Sequence, residues 1–271
     1  MTNSIFPMGH FYNPVPSEED IEKFIANRKA VRELPGIDLN LTVQKEYYKL
    51  LKQFFDDYDW TVEPREGRAY CGGGENDQFS LCCSYPVYAF MRLLQPRRII
   101  EIGSGYSTAI MDDTNRLYLN NSVKITCVEP YPDRLLRIWG DKVGEHVTLY
   151  RNLLQDVDLS IFDELEAGDI CFIDSSHVAK LGSDVLREIF ELLPRLKPGV
   201  VIHIHDIPFP FEYYDYWLRE NRAWNEAYML RAFLQYNPDF EILYWGSCLV
   251  ALDDTIQEND LGGSIWLRKV R

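Results

Sequence analysis

From Arg97 to Arg271, short β-branched apolar runs alternate with helical stretches, and this alternation constrains the fold more than any other feature of the 271 residues. Strands are predicted at 97–103, 123–129, 147–150, 169–174, 199–205, 240–246 and 264–270, and helices at 107–118, 132–139, 180–193 and 217–236. Strands joined through helices run parallel, and the helices then cover both faces of the sheet. The final pair differs. Strands 240–246 and 264–270 are expected to be joined by a polar loop without a helix, so the last strand enters antiparallel. Residues 1–95 read as a mainly helical prelude, and 96–271 as the sheet-bearing domain. In the prelude, Ser17-Glu18-Glu19-Asp20 is a capping start for a helix with Ile21, Phe24, Ile25 and Val31 on one face. Thr42 starts a second helix carrying Tyr47, Leu50, Leu51 and Phe54, 65–80 is a loop, and Tyr85 to Leu94 is a third helix.

The first strand of the alternating region, Arg98-Ile99-Ile100-Glu101-Ile102, runs straight into Gly103-Ser104-Gly105-Tyr106-Ser107-Thr108 and then a helix. Two glycines let the backbone turn tightly and approach a ligand with no Cβ in the way. A Gly-rich turn into a helix N-terminus is a general nucleotide-binding device. A dinucleotide turn has G-x-G-x-x-G, but position 108 is Thr. Glu101, two places before the first glycine, suits a cofactor with a cationic amino-acid end, and so points to S-adenosylmethionine (SAM). The turn residues Glu101, Gly103, Ser104, Gly105, Tyr106 and Ser107 are therefore candidate cofactor contacts. The second strand ends in Glu129-Pro130, where a carboxylate can accept both ribose hydroxyls. After the third strand, Gln155 or Asp156 can take the adenine amine, or either can cap the next short helix.

The fourth strand ends in Asp174-Ser175-Ser176-His177 and the fifth in His203-Ile204-His205-Asp206. Ligands bind beyond the carboxyl ends of such strands, so three of the chain's 5 histidines converge with two aspartates on one rim. Asp174, His205 and Asp206 suit a divalent ion such as Mg, Mn or Fe(II). His177 is the candidate general base, with an ordinary pKa of about 6.5, and Asp174 its partner. His203 is the more interior of the strand histidines. The aromatic run after Asp206, with Tyr213, Trp224, Asn225 and Glu226, suits an acceptor pocket whose apolar walls exclude water.

The formal charge of −14 would repel a phosphate polymer, so nucleic-acid substrates are disfavoured. No run of apolar residues is long enough to span a membrane, and Met1-Thr2-Asn3-Ser4-Ile5-Phe6-Pro7 lacks the regions of an export signal. The 6 cysteines, among them adjacent Cys82 and Cys83, form no paired framework, which implies reduced thiols and a cytoplasmic location.

Together the residues resemble a known family. Arg98 to Ser107, Ile173-Asp174-Ser175-Ser176-His177, Leu196-Lys197-Pro198-Gly199-Val200, His203 to Ile207 with Pro210-Phe211-Glu212-Tyr213, Trp224-Asn225-Glu226 and Gly262-Gly263-Ser264-Ile265-Trp266-Leu267 look like the bacterial "methyltransferase 24" group of class I SAM-dependent methyltransferases. That resemblance covers nearly the whole chain. It implies a Rossmann-like, seven-stranded, mostly parallel sheet with an antiparallel last strand. More distantly the chain is similar to metal-dependent macrolide-sugar O-methyltransferases. Carried over, Asp174 and Asp206 would be metal ligands and His177 the base, although His205 stands where those enzymes have the first acid of a pair. The expectation is a SAM-dependent enzyme methylating a hydroxyl of a small molecule or saccharide, either alone or as a homo-oligomer. The rivals are a nicotinamide-dependent oxidoreductase and a SAM-binding protein without turnover.

Overall fold

The computed structural model describes residues 5–256 and 262–271; Met1 to Ser4 of the opening segment lie outside them. Seven strands form one sheet: β1 (Arg98–Ile102), β2 (Lys124–Val128), β3 (Thr148–Tyr150), β4 (Ile170–Ile173), β5 (Val201–Ile204), β6 (Phe240–Trp245) and β7 (Ile265–Lys269). Their spatial order is β3-β2-β1-β4-β5-β7-β6. Neighbours from β3 through β5 pair parallel, and β7 lies antiparallel between β5 and β6. The antiparallel last strand is as expected, but the connection before it holds a helix, Gly246–Leu252. Its apolar residues Cys248 and Leu249 are buried, so the segment is amphipathic rather than a polar loop.

Along each central strand, alternate residues enter opposite cores. Ile100, Ile102, Cys171, Ile173, Ile202 and Ile204 belong to one, and Ile99, Ile125, Ile170, Phe172 and Val201 to the other. This two-sided burial is why the strands read as continuous apolar runs. One row across the second face carries polar groups: Cys127, Glu101, Phe172, His203 and Trp266 stand in register from β2 to β7. His203 is fully buried there, stacked on Phe172 at 3.9 Å and edge-on to Trp266 at 4.6 Å. Burial holds its imidazole well below the ordinary pKa, so it is neutral.

The helices in chain order are α1 (Glu18–Asn27), α2 (Leu41–Lys52), α3 (Leu81–Leu94), α4 (Tyr106–Tyr118), α5 (Asp133–Trp139), α6 (Val143–His146), α7 (Asp184–Arg187), α8 (Leu193–Arg195), α9 (Asp215–Arg219), α10 (Glu226–Leu234) and α11 (Gly246–Leu252). α1 opens on the expected capping box of Ser17 and Asp20, but only Ile21 of its predicted face is buried and Phe24 stays 42% exposed. α3 begins earlier than predicted and packs directly on the sheet, with Phe90 stacked on Trp266 at 3.9 Å. The pre-sheet loop is fastened by the buried Asp113 of α4, whose carboxylate accepts from the Ala69 and Tyr70 amides and the Trp60 indole. The helix predicted over 180–193 starts at Asp184, because the Ser183 hydroxyl caps it, and it runs through a π-helical turn, Glu188–Leu192, into α8. The helix predicted over 217–236 is two, α9 and α10. Asn221 in the left-handed region (φ 57°) ends the first, and Asn225 is pulled out to bond with Ala179.

Candidate active site

The site lies beyond the carboxyl ends of β1, β2, β4 and β5, as the topology requires. A cavity of about 600 Å³ opens there, walled by the β1–α4 turn, Glu129-Pro130, Gln155, Asp174 and His177. Gly103 sits in the left-handed region (φ 76°), and a Cβ on it would overlap the Asp174 carbonyl oxygen. Only glycine brings the turn this close to β4. Ser104, Gly105, Tyr106 and Ser107 complete that wall.

Glu101 does not reach the cavity. Its side chain is fully buried, accepting from the Ser107 and Thr108 hydroxyls at 2.6 Å each, with the Cys127 thiol 3.3 Å away. Burial pushes its pKa up to about 7 against those hydrogen bonds. The reason is strand alternation: Glu101 points into the polar row beneath the turn, where it clamps the turn from within. Thr108, at the place of a dinucleotide turn's third glycine, is used for that clamp, and its Oγ also accepts from the Gly105 amide.

Glu129 does face the cavity, and it is pre-oriented. One carboxylate oxygen accepts from the Ser104 amide at 2.9 Å and the other from the Tyr131 amide at 2.7 Å. Each oxygen retains a second lone pair for a ligand. Of Gln155 and Asp156, only Gln155 lines the cavity. Its amide donates to the Gly182 carbonyl at 2.8 Å, while its Oε1 is buried without a partner among the described residues. Asp156 is exposed and turned away. Sequence reasoning passed over Gln78, Arg134 and Lys180, which also line this cavity. Arg134 follows the Glu129-Pro130 strand end by one helical turn, and that spacing is the one signal for it.

His177 is the most constrained residue of the site. Its backbone is left-handed (φ 60°), as is that of Asp206 (φ 53°), a strain that proteins concentrate at functional positions. Its carbonyl accepts from the Asn225 and Glu226 amides, and its ring packs against Trp224 at 4.6 Å. Nδ1 lies 2.8 Å from the buried Glu226 carboxylate. Nε2 lies 3.5 Å from Asp174 Oδ1 and 3.7 Å from Asp206 Oδ2. Burial opposes its charge, but Asp174 and Glu226 outweigh burial and raise its pKa well above 6.5. Conversely, burial works against ionised Asp174, yet the imidazoles of His205 and His177 hold it at about 2.

No three His, Cys, Asp or Glu side chains among the described residues form a set that could hold a metal ion. The trio Asp174, His205 and Asp206 therefore does not assemble as expected: Asp174 is paired with His177, while Asp206 stands between His177 and His205, 3.7 Å from one and 3.4 Å from the other. Of the four residues predicted to bind the acceptor, only Trp224 lines the cavity. Tyr213 is core, its hydroxyl accepting from the Ala227 amide at 3.0 Å. Asn225 bonds both ways with the Ala179 backbone, and Glu226 holds His177.

A second cavity, of about 820 Å³, shares Gln78, His205 and Asp206 with the first. It is walled by the N-terminal turn of α3, by Tyr214, Tyr216 and Trp217, by α11 and by Gly262-Gly263.

A seven-stranded sheet in this order, with β7 alone antiparallel, defines the class I fold of SAM-dependent methyltransferases. A family model described as a methyltransferase domain matches residues 100–207. An uncharacterized protein of Archaeoglobus fulgidus is 33% identical over 171 residues, covering 60% of this chain and 74% of its own. The chain belongs to this methyltransferase family. Among solved structures, it is similar to the O-methyltransferase TomG from Streptomyces achromogenes in complex with SAM, at 18% identity and a TM-score of 0.49, covering 85% of this chain and 96% of that one. It is also similar to an O-methyltransferase from Bacillus cereus in complex with S-adenosylhomocysteine (SAH), at 13% identity and a TM-score of 0.46, covering 92% and 97%. No helix of the described residues is long and apolar enough to cross a membrane.

Proposed function

We propose that this enzyme transfers the methyl group of SAM to a hydroxyl of a small molecule, with SAM in the first cavity. The observation that carries this reading is the cavity's donor and acceptor pattern at the strand ends. It combines a glycine turn with no room for a Cβ, a pre-oriented Glu129, an unpartnered buried Gln155 Oε1 and an ionised Asp174. In this reading Glu129 accepts the ribose hydroxyls and Gln155 the adenine amine. Asp174 supplies the negative charge for the cationic amino-acid end, the role that buried Glu101 cannot fill. When bound, SAM supplies an electrophilic methyl group on a sulfonium.

His177 is the group proposed to take the acceptor's proton. Glu226 fixes the ring through Nδ1 and leaves Nε2 as the atom that exchanges a proton toward the cavity. The surrounding carboxylates raise its pKa above the ordinary value and so make Nε2 a stronger base. Turnover therefore rises with pH through a value above 6.5, as the neutral imidazole becomes populated.

The test is transfer of labelled methyl from SAM to a hydroxylated acceptor by the wild type and by His177→Ala. A positioned base contributes about 10²–10⁴-fold, so the variant should lose rate on that scale while still binding SAH. Wild-type turnover in the variant, or label appearing on nitrogen or carbon, would contradict the reading.

A further inference from the structure

The second cavity contains an unpartnered polar group that the protein's own packing leaves unexplained. His205 is 2% exposed and lines both cavities, yet neither of its ring nitrogens has a hydrogen-bond partner among the described residues. Asp206 Oδ1 lies 3.4 Å from its Nε2, and its ring packs tilted against Phe79 at 4.9 Å. Buried polar groups are normally paired, so an orphan on a side chain that walls a cavity is a candidate partner for a ligand atom. On the outer side of His205 the wall is aromatic. Tyr214 and Tyr216 are parallel within 8° at 5.9 Å, and Trp217 stands edge-on to both, at 4.8 and 5.4 Å.

Gly263 sets the width of the cavity. A Cβ there would meet nothing nearer than Asp206 Oδ1 and the Tyr214 hydroxyl, each at 3.9 Å, and its backbone is not left-handed. A larger side chain is thus tolerated by the backbone but would enter the space between the SAM-side rim and the aromatic wall. The volume of about 820 Å³ suits a small molecule rather than a polymer or a folded protein.

We propose that this second cavity is the acceptor site, that it takes a hydroxylated ring, sugar or aromatic, laid against Tyr214, Tyr216 and Trp217, and that Gly263 keeps it open. The His205 imidazole hydrogen-bonds a ring hydroxyl beside the reacting one, whose own proton goes to His177. This rests on the methyltransferase reading, which places the methyl donor on the other side of His205 and Asp206. An extended aromatic surface favours flat apolar ring faces over flexible chains.

The experiment uses the whole enzyme loaded with SAH and follows saturation-transfer NMR of three probes: methyl β-glucopyranoside, catechol and the ringless diol 1,4-butanediol. Binding of either ring probe in preference to the diol is expected, and which one binds distinguishes a sugar from an aromatic acceptor. Gly263→Leu should abolish that binding while SAH affinity is unchanged. Tyr216→Ala, at a residue 54% exposed and outside the core, should weaken it roughly 2- to 10-fold. His205→Phe, which keeps the packing against Phe79, should also weaken it. Equal binding of the diol, no binding of either ring, or ring binding unaffected by both Gly263→Leu and Tyr216→Ala would overturn the proposal. Failure of the wild type to bind SAH would instead overturn the methyltransferase reading beneath it.

Discussion

Replacing Glu226 by Gln isolates the charge that governs His177. Gln preserves the shape and an acceptor for the Nδ1 hydrogen, but removes a carboxylate 2.8 Å away in a site where both side chains are almost fully buried. An opposite charge at this range shifts a pKa by about 1–3 units, which corresponds to roughly 1.4–4 kcal/mol at 1.36 kcal/mol per unit. Asp174 and Asp206 remain near Nε2, so the imidazole should not fall to the value of a buried unpaired histidine. The assay is a histidine-resolved NMR titration of wild type and Glu226→Gln, with unfolding followed in parallel. His177 should titrate above 6.5 in the wild type and lower in the variant. The sign of the linked stability follows. A folded pKa raised above the unfolded one gives stabilisation that is complete below about 6.5 and is lost as pH rises through the folded pKa. The stability gap between wild type and variant should therefore be widest in mild acid, while Glu226 stays ionised, and should close in alkali. A wild-type His177 that titrates at or below 6.5, or a titration that Glu226→Gln leaves in place, would refute this account of the carboxylate cage.

Gly103→Ala should destabilise the protein by about 1–2 kcal/mol from its left-handed backbone alone and by more from the overlap with the Asp174 carbonyl; chemical denaturation reads the loss, and an unchanged midpoint would mean that the β1–α4 turn does not lie against β4. Gln155→Ala should weaken SAH binding in calorimetry while Asp156→Ala does not, since only Gln155 faces the cavity; the reverse ranking would place adenine elsewhere.

Much of the fold was legible because parallel strands buried on both faces announce themselves as apolar runs, and because Ser17 and the glycine turn carry local signals. The helix between β6 and β7 was missed because Gly246-Ser247-Cys248 does not look helical, although Cys248 and Leu249 pack inward. The convergence of Asp174, His177, His205 and Asp206 on one rim was readable from strand ends alone. What each does there was not. The position of Glu101 before the glycine turn points it at a ligand, but strand alternation turns it inward, where the Ser107 and Thr108 hydroxyls use it. Within the aromatic run, the side that each ring takes is not encoded locally. Tyr213 points into the core and Tyr214 into the cavity, a choice made by the entry into α9 and invisible to composition. The roles of Asn225 and Glu226 as clamps on the His177 loop depend on contacts across more than forty positions of sequence, which no local pattern encodes.

The central claim is that the first cavity binds SAM through the ends of β1 and β2, and isothermal titration calorimetry of SAM and SAH tests it most directly. The wild type should bind both, and Glu129→Ala should weaken SAH by roughly 1–3 kcal/mol, the loss expected when a buried hydrogen-bonding partner is removed. A wild type that binds neither SAM nor SAH but does bind NADH, or a Glu129→Ala variant with undiminished affinity, would contradict it.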